Sequence, residues 1–278
     1  MVQLKINEEL CIGCGDCAAD CVHKIIELSD GIPFIISGGE NNCLQCQHCL
    51  AVCPTGALSI MGLDPQDSLQ LPADVPSSIQ MENLIKSRRS TRQYRQGNVD
   101  GETLDKLLKI LAYAPTGMNR QKVSLTVVND IETMNTLRQR TYSAIQAKID
   151  SNEPVSETQK WIIGYIKGWQ DGADYIYRTA PHMIIASAPR GIGTPVADCV
   201  IALSYLELQA PSMGLGTTWC GLAKTAINEF APELITELGI PDDHEVGYMM
   251  LFGEPTVTYH RTVQITSDRV NFPKLKKQ

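Results

Sequence analysis

Two stretches of the chain share one cysteine spacing: CIGCGDCAADC over residues 11–21 and CLQCQHCLAVC over residues 43–53. Each of the four cysteines in the first stretch recurs 32 residues later, as Cys11 does at Cys43. Three cysteines of each stretch stand three residues apart, so one short loop can present three thiolates to the same group. Thiolates are soft, charged ligands that suit iron–sulfur clusters. The spacing therefore predicts two such clusters.

Other uses of cysteine fit this spacing poorly. Zinc ribbons use two C-x2-C pairs, not two triplets that each have a fourth cysteine. A disulfide scaffold would imply a secreted chain, whereas no signal-peptide pattern precedes the first stretch. We therefore expect a reducing, cytoplasmic location. Two of the ten cysteines lie outside both stretches, Cys199 and Cys220, and we expect each to be a buried small hydrophobe.

Residues 1–62 resemble a bacterial ferredoxin domain that holds two 4Fe–4S clusters. Val2–Ile6 and Leu58–Met61 are expected to be matching strands, and Lys24–Ile36 a hairpin around Ser29-Asp30-Gly31. In two-cluster ferredoxins the fourth cysteine of each stretch ligates the cluster of the other. The resemblance therefore implies two sets of ligands: Cys11, Cys14, Cys17 and Cys53 for one cluster, and Cys43, Cys46, Cys49 and Cys21 for the other.

Length and charge limit what the rest of the chain can be. Of the 278 residues, about 200 remain for a second domain with its own core. The net charge of −7 and the lack of long basic runs argue against nucleic acid as a partner. No apolar stretch reaches the ~18 residues that a membrane-spanning helix needs. Residues 63–80 contain several prolines among polar residues, which predicts a linker between domains 1–62 and 81–278.

Helices and strands alternate in the second domain. The periodicity of apolar residues predicts helices and strands in chain order: helices Met81–Arg89 and Thr103–Ala114, strand Leu125–Val128, a largely helical region Ile131–Tyr177 with a break near Ser151–Pro154, strand His182–Ala188, helix Asp198–Met213 and strand Tyr248–Phe252.

A basic segment follows the first of these helices. Arg88, Arg89 and Arg92 stand close to the hydroxyl residues Ser90 and Thr91. Guanidinium groups bind phosphate bidentately and hydroxyls add further donors, so the segment can form an anion site. The segment is equally consistent with a solvated basic helix end, whose side chains satisfy the terminal carbonyl groups.

Four segments in order resemble the nitroreductase family of FMN enzymes: RRSTR at residues 88–92, PTGMNRQ at 115–121, GLGTTW at 214–219, and Gly253-Glu254-Pro255 ahead of Arg261. The resemblance runs from about Asn83 to Arg261. It implies an α+β fold with a central, mostly antiparallel sheet and flanking helices. It also implies an intertwined homodimer with FMN at the subunit interface.

The resemblance further implies roles for individual residues toward FMN. Arg88, Arg89, Ser90 and the late Arg261 match positions that hold the phosphate, and Arg92 matches one near the ribityl chain and the ring. Pro115, Thr116 and Asn119 match residues that line the flavin. Gly216, Thr217 and Thr218 match the segment whose backbone faces the reactive edge of the ring. No side chain is expected to act as a catalytic acid or base, because the flavin does the chemistry.

These observations favour an FMN-dependent oxidoreductase. Electrons would pass from a low-potential donor, a ferredoxin-like protein or NAD(P)H, through two 4Fe–4S clusters to FMN. The small acceptor would be a nitroaromatic, a quinone or a similar compound. Two alternatives remain open: a non-catalytic electron carrier, and an oxidation of substrate that reduces a ferredoxin.

Overall fold

The computed structural model describes residues 2–71, 74–265 and 269–275. It divides into two units: unit 1 is Met1–Val75 with Thr116–Gln121, and unit 2 is Pro76–Pro115 with Lys122–Gln278. The division after Val75 falls within the stretch 63–80 that was expected to be a linker. Pro72 and Ala73 of that stretch lie outside the described residues, as do residues 266–268 and 276–278 of the expected second domain. The sequence did not predict that Thr116–Gln121 would group with unit 1.

Unit 1 contains two small antiparallel sheets and two short helices. Its elements are β1 (Leu4–Ile6), α1 (Asp16–Ala19), β2 (Ile26–Ser29), β3 (Ile32–Ile35), α2 (His48–Ala51) and β4 (Leu58–Ile60). β1 pairs with β4, and β2 forms a hairpin with β3, so both predicted pairings are confirmed. The hairpin turns at Asp30-Gly31, which both have positive φ (50° and 81°), as a tight two-residue turn requires.

The sheet of unit 2 has four strands in the order β5-β6-β8-β7, and every neighbouring pair is antiparallel. The strands are β5 (Ser124–Val128), β6 (His182–Pro189), β7 (Gly216–Trp219) and β8 (His244–Gly253). This confirms the expected α+β fold with an antiparallel sheet. β7 was not predicted as a strand, and β8 is longer than the predicted Tyr248–Phe252.

Helices cover both faces of this sheet. They are α3 (Ser78–Ser87), α4 (Gly101–Lys109), α5 (Ile131–Asp150), α6 (Glu157–Ile163), α7 (Ile166–Gln170), α8 (Pro195–Ser212), α9 (Gly221–Phe230) and α10 (Glu233–Glu237). Side chains alternate along the central strand β6: Met183 and Ile185 enter a core with α5 and α9, and Ile184 and Ala186 enter a core with α4 and α8. The sheet therefore lies between two helical layers.

The predicted helices differ from the observed ones at their ends; α8, for example, begins three residues before the predicted Asp198. α3 begins three residues before the predicted Met81, because Ser77 and Gln80 form a capping box in which each side chain bonds the other residue's backbone N–H. The predicted Thr103–Ala114 begins two residues early, at Gly101, where the Asp100 side chain caps the helix, and its last turn, Ile110–Tyr113, is a 3₁₀ helix. Among the helices in the described part of the chain, none is long and apolar enough to cross a membrane.

Candidate functional site

One cavity of unit 1 is lined by Cys11, Cys14, Cys17 and Cys53. Cys11 and Cys14 come from the loop before α1, Cys17 from α1 itself, and Cys53 from the residues just after α2. Apolar side chains such as Leu28 and Leu58 complete the lining. The cavity therefore offers four soft thiol ligands in a largely apolar enclosure, and this donor set fits an iron–sulfur cluster.

A second cavity of unit 1 is lined by Cys21, Cys43, Cys46 and Cys49. Here α2 follows the cysteine loop as α1 does in the first cavity, and Cys21 crosses over from the first stretch. Each cavity thus brings together the four cysteines that the ferredoxin resemblance assigns to one cluster. Their role as ligands stays a prediction.

The surroundings of the thiols set their ionisation before any cluster is bound. Burial raises the pKa of the Cys17 thiol and raises that of Cys49 to about 11. Burial also acts on Cys53, but hydrogen bonds from the Thr55 hydroxyl and the Ala57 N–H outweigh it and lower its pKa. Such donors favour the thiolate, which is the form that ligates a cluster.

In unit 2, the basic segment lies beside β7. Ser90 forms a parallel bridge with Thr217, and the Thr91 N–H donates to the Thr217 carbonyl at 2.8 Å. The approach is close, because a Cβ on Gly216 would lie 2.2 Å from the Thr91 hydroxyl. The structure therefore brings together two predicted FMN segments, residues 88–92 and 216–218.

A buried tyrosine joins these two segments. The Tyr94 hydroxyl donates to the Thr91 carbonyl at 2.7 Å and lies 3.1 Å from the Thr218 hydroxyl, which also donates to the Thr91 carbonyl. Burial raises the pKa of Tyr94, so the phenol remains a neutral donor. Sequence reasoning missed Tyr94, because only the long-range pairing with Thr218 reveals its place.

The donors of this site suit an anionic ligand. Arg88, Arg89 and Ser90 are half-buried, whereas Arg92 is exposed. The Arg88 guanidinium donates to the Glu207 carboxylate of α8 at 2.9 Å. Within the described residues the buried Thr217 hydroxyl has no hydrogen-bond partner. Half-buried guanidinium groups, a hydroxyl and an unpaired buried polar atom fit a cofactor that carries a phosphate.

The other predicted FMN residues lie elsewhere. Thr116 and Asn119 belong to unit 1, where the Asn119 side-chain amide donates to the Leu44 carbonyl at 2.9 Å. Pro115 is exposed at the end of the preceding segment of unit 2, and Arg261 is exposed in the chain that follows β8. Within unit 2, the structure therefore groups residues 88–91 with residues 216–218.

The two cysteines outside the cavities lie in the core of unit 2. Cys199 and Cys220 are buried, as predicted. Burial raises their pKa values to about 11 and about 12, so both thiols are neutral at ordinary pH. Neither has the thiolate character that a reactive cysteine needs.

Comparison with known proteins covers both units. Residues 85–254 match the nitroreductase family, and residues 10–57 match the 4Fe-4S dicluster domain. No curated protein sequence matches the chain.

Several solved structures share the fold. One is a nitroreductase with bound FMN from Bacteroides fragilis NCTC 9343 (22% identity, 70% of this chain and 99% of that one, TM-score 0.57). A second, from Desulfitobacterium hafniense DCB-2, also has bound FMN (22% identity, 70% and 98%, TM-score 0.55). A third is an FMN-dependent nitroreductase from Clostridium difficile R20291 (24% identity, 70% and 99%, TM-score 0.51).

Proposed function

Because the chain belongs to the nitroreductase family, we propose that it is an FMN-dependent oxidoreductase fed by two 4Fe–4S clusters. Electrons pass from an external low-potential donor through the clusters to FMN and on to a small acceptor. The observation that carries the proposal is the pair of four-cysteine cavities in unit 1, on the same chain as the flavoenzyme fold. A family member that needed only a diffusing nicotinamide would have no use for a relay of this kind.

The basic segment beside β7 holds FMN in this proposal. The bound FMN supplies the hydride or single-electron chemistry, and the protein supplies position and electrostatics. Arg88, Arg89 and Ser90 bind the phosphate, while the backbone of Gly216–Thr218 faces the ring. Tyr94 fixes the spacing between the two segments, because its hydroxyl lies within hydrogen-bond distance of both Thr91 and Thr218.

The working form is a homodimer, as is typical of the family. Support comes from apolar side chains that a single chain leaves in water. None of the residues of α3 is buried, although Ile79 and Ile85 are large and apolar. Phe272 and Leu275 near the end of the chain are also highly exposed. A second copy that covers these side chains would remove apolar surface from water.

Nitroaromatics and quinones are the acceptor class that we propose. An anaerobic screen tests it: the protein, which should carry about eight iron and eight sulfide per chain, is reduced and mixed with each candidate acceptor. The flavin spectrum reports reoxidation. We expect rapid reoxidation by at least one small acceptor. Reoxidation by redox proteins alone would favour the electron carrier. Reduction of the clusters by a reduced small substrate would favour the reverse direction.

A further inference from the structure

The negative charge of the chain is concentrated in its first part. Residues 1–75 carry ten Asp and Glu against two Lys and Arg, out of 31 and 24 in the whole chain. The remaining residues therefore hold 21 acidic and 22 basic side chains, which nearly balance. An asymmetry of this kind acts on charged partners through the field that it creates.

The mouth of the first cavity combines apolar and acidic side chains. Ile12, which lines the cavity, is 67% exposed, and Leu10 and Leu28 beside it are also exposed. Five exposed acids lie within two positions of the cavity-lining residues in sequence: Glu8, Glu9, Asp16, Glu27 and Asp30. Within the described part of the chain, none of these acids is paired with a basic side chain. An apolar centre with a charged rim is typical of a transient protein interface.

The mouth of the second cavity is different. Val22 is its exposed apolar residue (68%), but Asn42, Gln47 and His48 are polar. By the same measure three exposed acids lie near this lining, Asp20, Glu27 and Glu40, and Asp20 lies 3.0 Å from the His48 ring nitrogen. The Leu44 carbonyl in the lining accepts the hydrogen bond from Asn119. Residues 116–121 of unit 1 thus engage this cavity and not the first.

We propose that external electrons enter at the cavity of Cys11, Cys14, Cys17 and Cys53, and that its mouth docks a redox protein whose redox centre is surrounded by lysine and arginine side chains. The second cavity, which residues 116–121 engage, passes the electrons on. This rests on the proposed function, in which the clusters feed the flavin. Each transfer would move one electron: the donor would be oxidised as a cluster held by Cys11, Cys14, Cys17 and Cys53 is reduced, and that cluster would be reoxidised as the one in the second cavity is reduced, with no bond formed or broken.

A matched pair of variants distinguishes the two mouths. Ile12 and Val22 are equally exposed, so lysine at either position should leave the fold intact. Ile12→Lys adds positive charge at the first mouth, and Val22→Lys adds the same charge at the second. The probes are two small reductants of opposite charge, the methyl viologen radical cation and dithionite. The readout is the rate at which the visible absorbance of the clusters bleaches anaerobically at low ionic strength.

We expect Ile12→Lys to slow bleaching by the viologen about threefold and to speed bleaching by dithionite by a similar factor, because a unit charge acts with opposite sign on the two probes. Both effects should shrink at high salt. The opposite signs exclude a misfolded variant or a shifted cluster potential, which would change both rates in the same direction. Val22→Lys should change either rate less than 1.5-fold.

Equal effects of the two variants, or a larger effect of Val22→Lys, would overturn the proposal. The absorbance of the flavin is recorded in the same experiments as a second signal, distinct from that of the clusters. If the clusters are reduced but the flavin never follows, the proposed function fails, whereas the comparison of Ile12→Lys with Val22→Lys remains valid.

Discussion

At the scale of single residues, the basic segment depends on one ion pair. Arg88 and Glu207 are 119 residues apart in sequence, yet their side chains meet at 2.9 Å in a half-buried place. The carboxylate restricts the guanidinium to one orientation without using all of its five donors. Arg88 is therefore both held in position and free to bind a phosphate.

Replacement of Arg88 tests this role. Arg88→Ala removes a charge-assisted contact, so we expect the Kd for FMN to rise about 10- to 100-fold while the iron content is unchanged. Titration of FMN into the flavin-free protein, followed by fluorescence, measures it. Arg95→Ala is the control, because Arg95 is a more exposed arginine three residues beyond the basic segment, paired with Glu254. Equal FMN affinity in Arg88→Ala and the unchanged protein would make the segment a solvated helix end.

Loss of one partner of a buried ion pair is expected to destabilise unit 2 strongly. Asp174 accepts hydrogen bonds from the Arg138 guanidinium at 2.7 Å, the Tyr142 hydroxyl at 2.9 Å and two backbone N–H groups. Asp174→Asn leaves the Arg138 charge buried without a counter-ion, so we expect a loss of about 3–5 kcal/mol in the free energy of unfolding. Denaturant titration followed by circular dichroism measures this loss.

The control is Glu237→Gln, which breaks the exposed pair between Glu237 of α10 and Arg140, a residue of the same helix α5 as Arg138. That change should cost less than about 1 kcal/mol, because water screens exposed charges. If the two variants unfolded at the same denaturant concentration, the buried network would not have the role that we give it.

At the scale of elements, the short strand β7 holds the basic segment in place. Because a Cβ on Gly216 would lie 2.2 Å from the Thr91 hydroxyl, Gly216→Ala must push residues 90–91 away from β7. We expect a loss of about 1–3 kcal/mol in stability, together with weaker FMN binding. Gly101→Ala is the control, because its added Cβ meets nothing within 4 Å. Thermal unfolding and FMN titration of both variants check this, and tight FMN binding in Gly216→Ala would contradict it.

The sequence predicted elements best where apolar residues form a long run. The buried strand β6 was placed within one residue of its observed bounds and the apolar helix α8 within three, since each has a long apolar run. β7 was missed because four residues of glycine, threonine and tryptophan carry no recognisable alternation. Its pairing with β8 and its bridge to Ser90 are long-range contacts, and local propensity does not encode them. The capping box at Ser77 and Gln80 was readable in the sequence and would have placed the start of α3 correctly.

At the scale of the whole molecule, some features of the candidate sites could be predicted from the sequence and others could not. The ferredoxin resemblance, which rests on the cysteine spacing, predicted which four cysteines line each cavity. The Arg88–Glu207 pair and the grouping of Thr116–Gln121 with unit 1 could not be predicted, because each joins segments far apart in sequence. In the function that we propose, the whole molecule forms one path for electrons. Unit 1 receives them from the donor, and the flavin transfers them to the acceptor.

The most direct test is an anaerobic stopped-flow measurement on the full chain that records cluster and flavin absorbance together. Reduced methyl viologen and NADH are compared as donors. We predict that with the viologen the clusters bleach first and the flavin follows at a rate independent of donor concentration, because the electrons reach it from within the chain. NADH should bleach the flavin more slowly. If NADH reduced the flavin as fast as any donor while the clusters stayed oxidised, the relay through unit 1 would be contradicted.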